Sequence, residues 1–198
     1  MNIKICRLKP HMAEDYVHFF DVTPHDDNID EHKCYCVCWC SADHSVNNDL
    51  STAQKRREFA KQYVKTGIIQ GYAAYQDNRM VGWCNANTRQ ECTNCCSWLR
   101  FMQEVDTSKS EKVKSVFCFL TAPDMRGQGI AKMLLDKVCE DAKADGFDYV
   151  EAYPRKKHLL SKANKFSNFQ GPYEMFKSAG FTEYKKLSDK IIMRKYLK

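Results

Sequence analysis

The segment from Val113 to Pro154 restricts the fold more than any other part of the chain. Val116, Phe117, Cys118, Phe119 and Leu120 form an unbroken apolar run, the pattern of a strand covered on both faces. Pro123 and Asp124 end it. Arg126-Gly127-Gln128-Gly129-Ile130-Ala131 then leads into a helix. Its apolar positions Ile130, Ala131, Leu134, Leu135, Val138 and Ala142 share one face, and Gly146 stops it. A further strand, Tyr149 to Tyr153, closes the segment at Pro154. Strand, glycine-bearing turn, helix and strand make a βαβ unit with a right-handed crossover, which assigns the chain to the α/β class.

The rest of the chain supplies antiparallel elements. Ile3 to Leu8 alternates like a short strand, and His11 to Phe20 carries Met12, Tyr16, Phe19 and Phe20 at helical spacing. Thr52 to Thr66 predicts an amphipathic helix with Ser51 or Thr52 as cap and Gly67 as stop. Ile69 to Tyr75 and Met80 to Asn85 flank a short turn and predict a hairpin. Thr88 to Glu111 is mostly polar, with an apolar knot at Trp98, Leu99, Phe101 and Met102 that predicts a loop with a short helix. No Pro/Gly/Ser-rich linker divides the 198 residues, so residues 1–198 are expected to form one domain. With 43% hydrophobic and 12% aromatic residues, such a chain buries a core without disulfides or metals. No apolar run approaches the length of a membrane span, and no signal-like stretch opens the chain, so a cytoplasmic location is expected.

Charge and cysteine usage need separate decisions. The net charge of +6 is too mild, and lacks the dense basic stripe, for a nucleic-acid partner. Its distribution is uneven. Pro10 to His32 contains no Lys or Arg but holds Glu14, Asp15, Asp21, Asp26, Asp27, Asp30 and Glu31; Arg155 to Lys165 is basic. Eleven cysteines make the chain cysteine-rich, but an odd number without a secretion signal disfavours a disulfide framework. Cys34, Cys36, Cys38 and Cys40 alternate at a spacing seldom seen in zinc sites, and Cys92-x-x-Cys95 has no second ligand pair nearby. No metal is expected; the thiols are read as small apolar side chains. The Cys34–Cys40 run is either a strand or a loop lining a pocket.

The glycine-bearing turn has its own chemistry. It exposes the first unpaired N–H groups of the helix, where phosphate binds, and Gly127 and Gly129 let a ligand approach the backbone. The Gly-Lys-Ser/Thr ending of a Walker loop is missing, and the glycines do not follow Gly-x-Gly-x-x-Gly. Arg126-Gly127-Gln128-Gly129-Ile130-Ala131 resembles the Gln/Arg-x-x-Gly-x-Gly/Ala signature of the GCN5-related N-acetyltransferase (GNAT) superfamily, placed between the fourth strand and the following helix as in that family. Tyr173 to Phe181 resembles the family's last helix with its Gly-Phe ending, and two closing strands near Glu183–Leu187 and Lys190–Tyr196 also fit. Cys34-Tyr35-Cys36, Gly82-Trp83-Cys84-Asn85-Ala86 and Glu151-Ala152-Tyr153-Pro154 are similar to stretches of one bacterial subgroup.

The resemblance implies the GNAT-type acyl-CoA N-acyltransferase fold: a mixed central sheet flanked by helices, antiparallel in its N-terminal half, with a splayed parallel pair in the middle. It implies acetyl-CoA as co-substrate and direct attack by a primary amine, from a small molecule or a protein, without an acyl-enzyme. Phe119, Leu120 and Thr121 would meet the pantetheine arm, and the amides of Arg126, Gly127, Gln128, Gly129, Ile130 and Ala131 would hold the pyrophosphate. Phe176 stands where the family usually has its thiolate-protonating Tyr, so Tyr173, Tyr153 or water is expected to return that proton. Glu151 is the candidate general base; His32, Asp43 and His44 also flank the acceptor region. The acidic stretch predicts a cationic acceptor. The alternative is a catalytically silent CoA-binding module or a thiol or metal sensor, which needs Cys34, Cys36, Cys92 and Cys95 to converge. A monomer or homodimer is expected, with no membrane partner.

Overall fold

The computed structural model describes residues 2–25, 27–41, 49–107, 111–155 and 169–198. The strands are β1 (Ile3–Arg7), β2 (Gly71–Gln76), β3 (Arg79–Thr88), β4 (Val113–Thr121), β5 (Tyr149–Ala152), β6 (Thr182–Lys186) and β7 (Ile191–Tyr196). They form one sheet in the order β1-β2-β3-β4-β5-β7-β6. Only β4 and β5 run parallel; all other neighbours are antiparallel. The helices are α1 (Ala13–Val22), α2 (Ala53–Lys65), α3 (Arg89–Cys92), α4 (Cys96–Phe101), α5 (Ile130–Ala144) and α6 (Tyr173–Ser178). The mixed sheet with a central parallel pair is the GNAT acyl-CoA N-acyltransferase fold.

Local chemistry explains most boundaries. Thr52 caps α2 by accepting the Lys55 N–H at 3.2 Å, and Gly67 ends it with φ +74°. The apolar knot becomes α4, preceded by the single turn of α3. The cysteine run is a loop rather than a strand: Tyr35 and Cys36 lie in left-handed conformations (φ +46° and +56°) and a 3₁₀ turn spans Val37–Trp39. Tertiary contacts hold that unfavourable backbone. Tyr16 of α1 donates to the Tyr35 carbonyl at 3.0 Å, the Tyr35 hydroxyl donates to Asp21 at 2.8 Å, and Trp83 Nε1 donates to the Cys36 sulfur at 3.3 Å.

Gly82 and Trp83 divide the two layers around the sheet, because successive strand residues face opposite sides. Trp83 meets the ring of Tyr16 edge-on at 4.9 Å, which puts α1 and the cysteine loop on one face. Gly82 lies under α5, where a Cβ would come within 2.7 Å of Ile130. The missing side chain lets the first turn of α5 settle directly onto β3. All eleven cysteines are free. Among the described residues no helix is long and apolar enough to cross a membrane. Asp26, Asp43, His44 and the basic stretch beyond Arg155 lie outside the described residues.

Gly82→Val is expected to wedge α5 off β3 and to lower stability by about 1–3 kcal/mol, read as a reduced urea midpoint at unchanged m-value.

Candidate active site

The site begins where the parallel pair stops pairing. β4 and β5 are in register from Val113–Tyr149 to Val116–Ala152 and no further. On β4, the register against β3 slips at Phe117: Asn85 faces Cys118 while Ala86 faces Val116, so a bulge bends the strand. On the β5 side, Pro154 has no N–H, and the chain instead follows β7, with the Ile191 N–H donating to the Pro154 carbonyl at 2.9 Å and Arg155 bridging to Lys190. The strands therefore part, and β4 runs on from Phe117 to Thr121 with one edge turned to a cleft. Phe119, Leu120 and Thr121 line it. The Phe119 N–H is already engaged, donating to the Phe169 carbonyl at 2.6 Å.

At one end of this cleft, α5 starts without any side-chain cap. Its first N–H groups are unpaired within the helix and its positive dipole end faces outward. Gly127 (φ +75°) and Gly129 (φ +80°) are left-handed, and a Cβ at either would meet nothing within 4 Å, so the turn borders open space. A hollow of about 250 Å³ lies over it, lined by Thr121, Arg126, Gly127, Gly129, Ile130 and Ala131, with Met125, Lys132 and Met175 around them. Gln128 braces the turn by donating to the Asp124 carbonyl at 3.0 Å.

A larger cavity of about 670 Å³ adjoins it and shares Thr121, Arg126 and Ala131. Its walls carry Cys34, Cys36, Cys38, Cys96 and Cys118, the aromatic side chains Phe20, Trp39, Phe101, Phe119 and Phe169, and the polar groups His25, Lys33, Ser97 and Arg100. Contact with Cys118, reinforced by burial, holds the Cys36 thiol well above its ordinary range. Contact with Cys36 and burial do the same for Cys34, and burial pushes Cys38 up to about 11. At neutral pH these thiols are protonated, which fits small apolar wall residues rather than nucleophiles.

Of the candidate catalytic side chains among the described residues, Glu151, Tyr153, Tyr173 and His32 line neither hollow. Glu151 is 0% exposed and accepts from Arg194 Nε at 2.5 Å and the Tyr153 hydroxyl at 2.7 Å, with Arg89 Nη1 at 3.5 Å. Tyr153 is buried as well, its hydroxyl also 2.7 Å from Ser115 Oγ, and burial with the nearby Glu151 charge raises its pKa far out of working range. Tyr173 donates its hydroxyl to Glu183 of β6 at 2.9 Å on the outer surface. These contacts give Glu151 and Tyr153 a structural task and offer no geometric support for base or acid roles. Phe176 is buried against Phe119 and Phe181, with ring centroids at 6.2 and 5.5 Å.

The expected acidic wall is also absent: among the described residues no carboxylate lines either hollow. One cluster was not foreseen from sequence. His25 and His32 place their Nδ1 atoms 2.6 Å from opposite oxygens of Asp27, whose carboxyl they hold well below its ordinary range. Among the described residues this is the one group of three possible metal ligands within 4.8 Å of one another; Cys34, Cys36, Cys92 and Cys95 form no such group. His25 lines the larger cavity, and its six-residue-long return to His32 depends on a tight turn at Asn28 (φ +58°), which periodicity does not reveal.

The acetyltransferase (GNAT) family model matches residues 30–162 of this chain. No curated protein matches its sequence. Among solved structures, it is similar to a GNAT-family acetyltransferase of Streptococcus pneumoniae (13% identity, 100% of both chains, TM-score 0.55). It is similar to the PaiA N-acetyltransferase of Thermoplasma acidophilum, solved with coenzyme A (13% identity, 99% of both chains, TM-score 0.54). It also resembles the ribosomal-protein-S5-alanine acetyltransferase of Vibrio fischeri (12% identity, 99% of this chain and 93% of that one, TM-score 0.54).

Glu151→Gln separates a structural from a catalytic carboxylate. It leaves Arg194 and Arg89 without their buried counter-charge and is expected to cost about 3–5 kcal/mol in chemical denaturation, while acetyl-CoA affinity of the folded protein stays unchanged.

Proposed function

The chain belongs to the GNAT acetyltransferase family, and on that premise we propose that it transfers the acetyl group of acetyl-CoA to a primary amine by direct attack. The observation that supports this best is the continuity of the two hollows: the α5 turn, suited to a diphosphate, opens along the free edge of β4 into a cavity large enough for a small acceptor. The uncapped helix start, the open left-handed glycines and the Arg126 guanidinium fit coenzyme A. Bound acetyl-CoA supplies the acyl group as an activated thioester.

The chain's own residues then have definable tasks. The backbone from Arg126 to Ala131 holds phosphate oxygens, and the strand edge at Leu120 and Thr121 aligns an extended arm toward the larger cavity. Trp39, Phe101 and Phe119 give that cavity an aromatic lining. An arriving ammonium has to lose a proton before it is nucleophilic. Of the imidazoles among the described residues, His25 is the one on the cavity wall. Asp27 fixes its Nδ1–H and so leaves Nε2 to accept that proton. His32, on the other oxygen of Asp27, is a positioning residue. Cys118 and Cys36 need not react, since direct attack forms no acyl-enzyme. No tyrosine hydroxyl lines the cleft, so the leaving thiolate takes its proton from water; a thiol of ordinary pKa, about 8.5, needs no strong acid.

Calorimetric titration with acetyl-CoA tests the donor half. Gly129→Glu, whose side chain and charge enter the phosphate turn, is expected to abolish binding that wild type shows. The variant keeps its circular dichroism, because the left-handed residue costs only about 1–2 kcal/mol. Arg126→Gln is expected to weaken binding without abolishing it. A folded wild type that does not bind acetyl-CoA would sink the proposal.

His25→Asn is expected to lower kcat about 10²–10⁴-fold and to leave acetyl-CoA affinity intact. An unchanged kcat would exclude His25 as the base.

A further inference from the structure

Among the described residues, the ionic side chains lining the larger cavity are cationic, the opposite of what the acidic stretch suggests. Its ionic lining consists of Lys33, Arg100 and Arg126, beside the imidazole of His25, with no carboxylate among the described residues. The acidic residues nearby are engaged on the outside. Glu14 pairs with Lys61 at 2.8 Å, Asp21 with Arg57 at 2.8 Å, and Asp27 with both imidazoles. Asp15 accepts from the Tyr75 hydroxyl at 3.0 Å, and Glu31 from the Ala53 N–H at 2.7 Å. The thiols add no negative charge, because Cys34 and Cys36 are held protonated.

The cations differ in how far they are neutralised. Lys33 is paired with Asp30 at 2.8 Å and also donates to the Asp21 carbonyl. Arg126 stands at the α5 end, where the diphosphate accounts for it. Arg100 comes from the opposite wall, on α4, and has neither an ion pair nor a hydrogen bond among the described residues. Its guanidinium carbon lies 5.0 Å from the centroid of the Phe101 ring. Phe101 leads on to Trp39 at 6.4 Å, which stacks on Phe117 at 4.5 Å. A guanidinium set on an aromatic face keeps its fork of donors free, and that fork matches a carboxylate with two parallel hydrogen bonds.

We infer that the acceptor is a primary amine carrying a carboxylate on an apolar body, with the carboxylate on Arg100 and the body against Trp39 and Phe101. Among the described residues, a polyamine meets only like charge in this cavity. The inference rests on the acetyl-transfer reading above and replaces the expectation of a cationic acceptor.

The test uses the full chain at saturating acetyl-CoA with phenylalanine, phenylalaninamide and spermidine, which differ in charge beside the amine. The expected order of kcat/KM is phenylalanine, then phenylalaninamide, then spermidine. Arg100→Gln is expected to raise KM for phenylalanine about 10- to 100-fold, the value of one charge-assisted contact, while moving phenylalaninamide by no more than about twofold. Arg100→Glu is expected to reverse the preference. Spermidine as the best acceptor, or equal effects of Arg100→Gln on the acid and its amide, would overturn the inference. Calorimetry of the same amines in the presence of coenzyme A distinguishes the two levels. Phenylalanine binding that Arg100→Gln removes, without turnover of any amine, would uphold the carboxylate site and reject acetyl transfer. A folded protein that neither binds phenylalanine nor turns it over would overturn the inference itself.

Discussion

The parting of β4 from β5 after Val116 and Ala152 is the constraint from which the site follows. A parallel pair that stayed in register to Thr121 would close the sheet, and α5 would start over a sealed surface. Two local facts prevent this. The bulge at Phe117 bends β4, and Pro154, which cannot donate, leaves β5 to follow β7. The free edge, the uncapped helix start and the adjoining cavity then lie along one line.

Charges near this line divide into a buried set that fixes the sheet and an outer set that shapes access. Glu151, between Arg194 and Arg89 at the base of β5, ties β5 to β7 and to α3. With Tyr153 and Ser115 it makes a satisfied carboxylate under the aromatic stack of Trp39, Phe117 and Tyr153. The outer acids, Glu14, Asp21, Asp27 and Asp30, each have a cation or imidazole beside them, so their charge does not project into the cavity. Asp141 on α5 follows the same pattern: burial works against its ionisation, yet Lys137 and Arg7 together keep its carboxyl below the ordinary range and join α5 to β1. Its stabilising share is present above the unfolded carboxyl pKa and is lost as pH falls through the lower folded value.

The cysteine loop links the two sets. Its left-handed residues at Tyr35 and Cys36 are held by Tyr16 and Asp21 of α1 and by Trp83 of β3, and the result is a wall of protonated thiols facing β4. Such a wall is soft and apolar. The charged and imidazole groups of the same lining are Lys33, Arg100, Arg126 and His25.

How much was legible in the sequence depended on range. Periodicity and turn residues located β1, α1, α2, the β2–β3 hairpin, β4, α5 and β5 within a few residues. The Arg126–Ala131 turn was legible as an uncapped, glycine-bearing start to α5, because helix entry, glycine and charge act through neighbours in the chain. Local pattern alone did not resolve the conformation of Cys34–Cys40, which long-range hydrogen bonds impose against backbone preference. Nor did it reveal that Glu151 is sealed by Arg194, 43 residues away, or that His25, Asp27 and His32 converge across a turn. Legible along the chain were the elements, their order and the glycine-bearing entry to α5. Which charges face the cavity followed from packing between distant segments, since a side chain's electrostatic effect depends on the partners that folding brings to it.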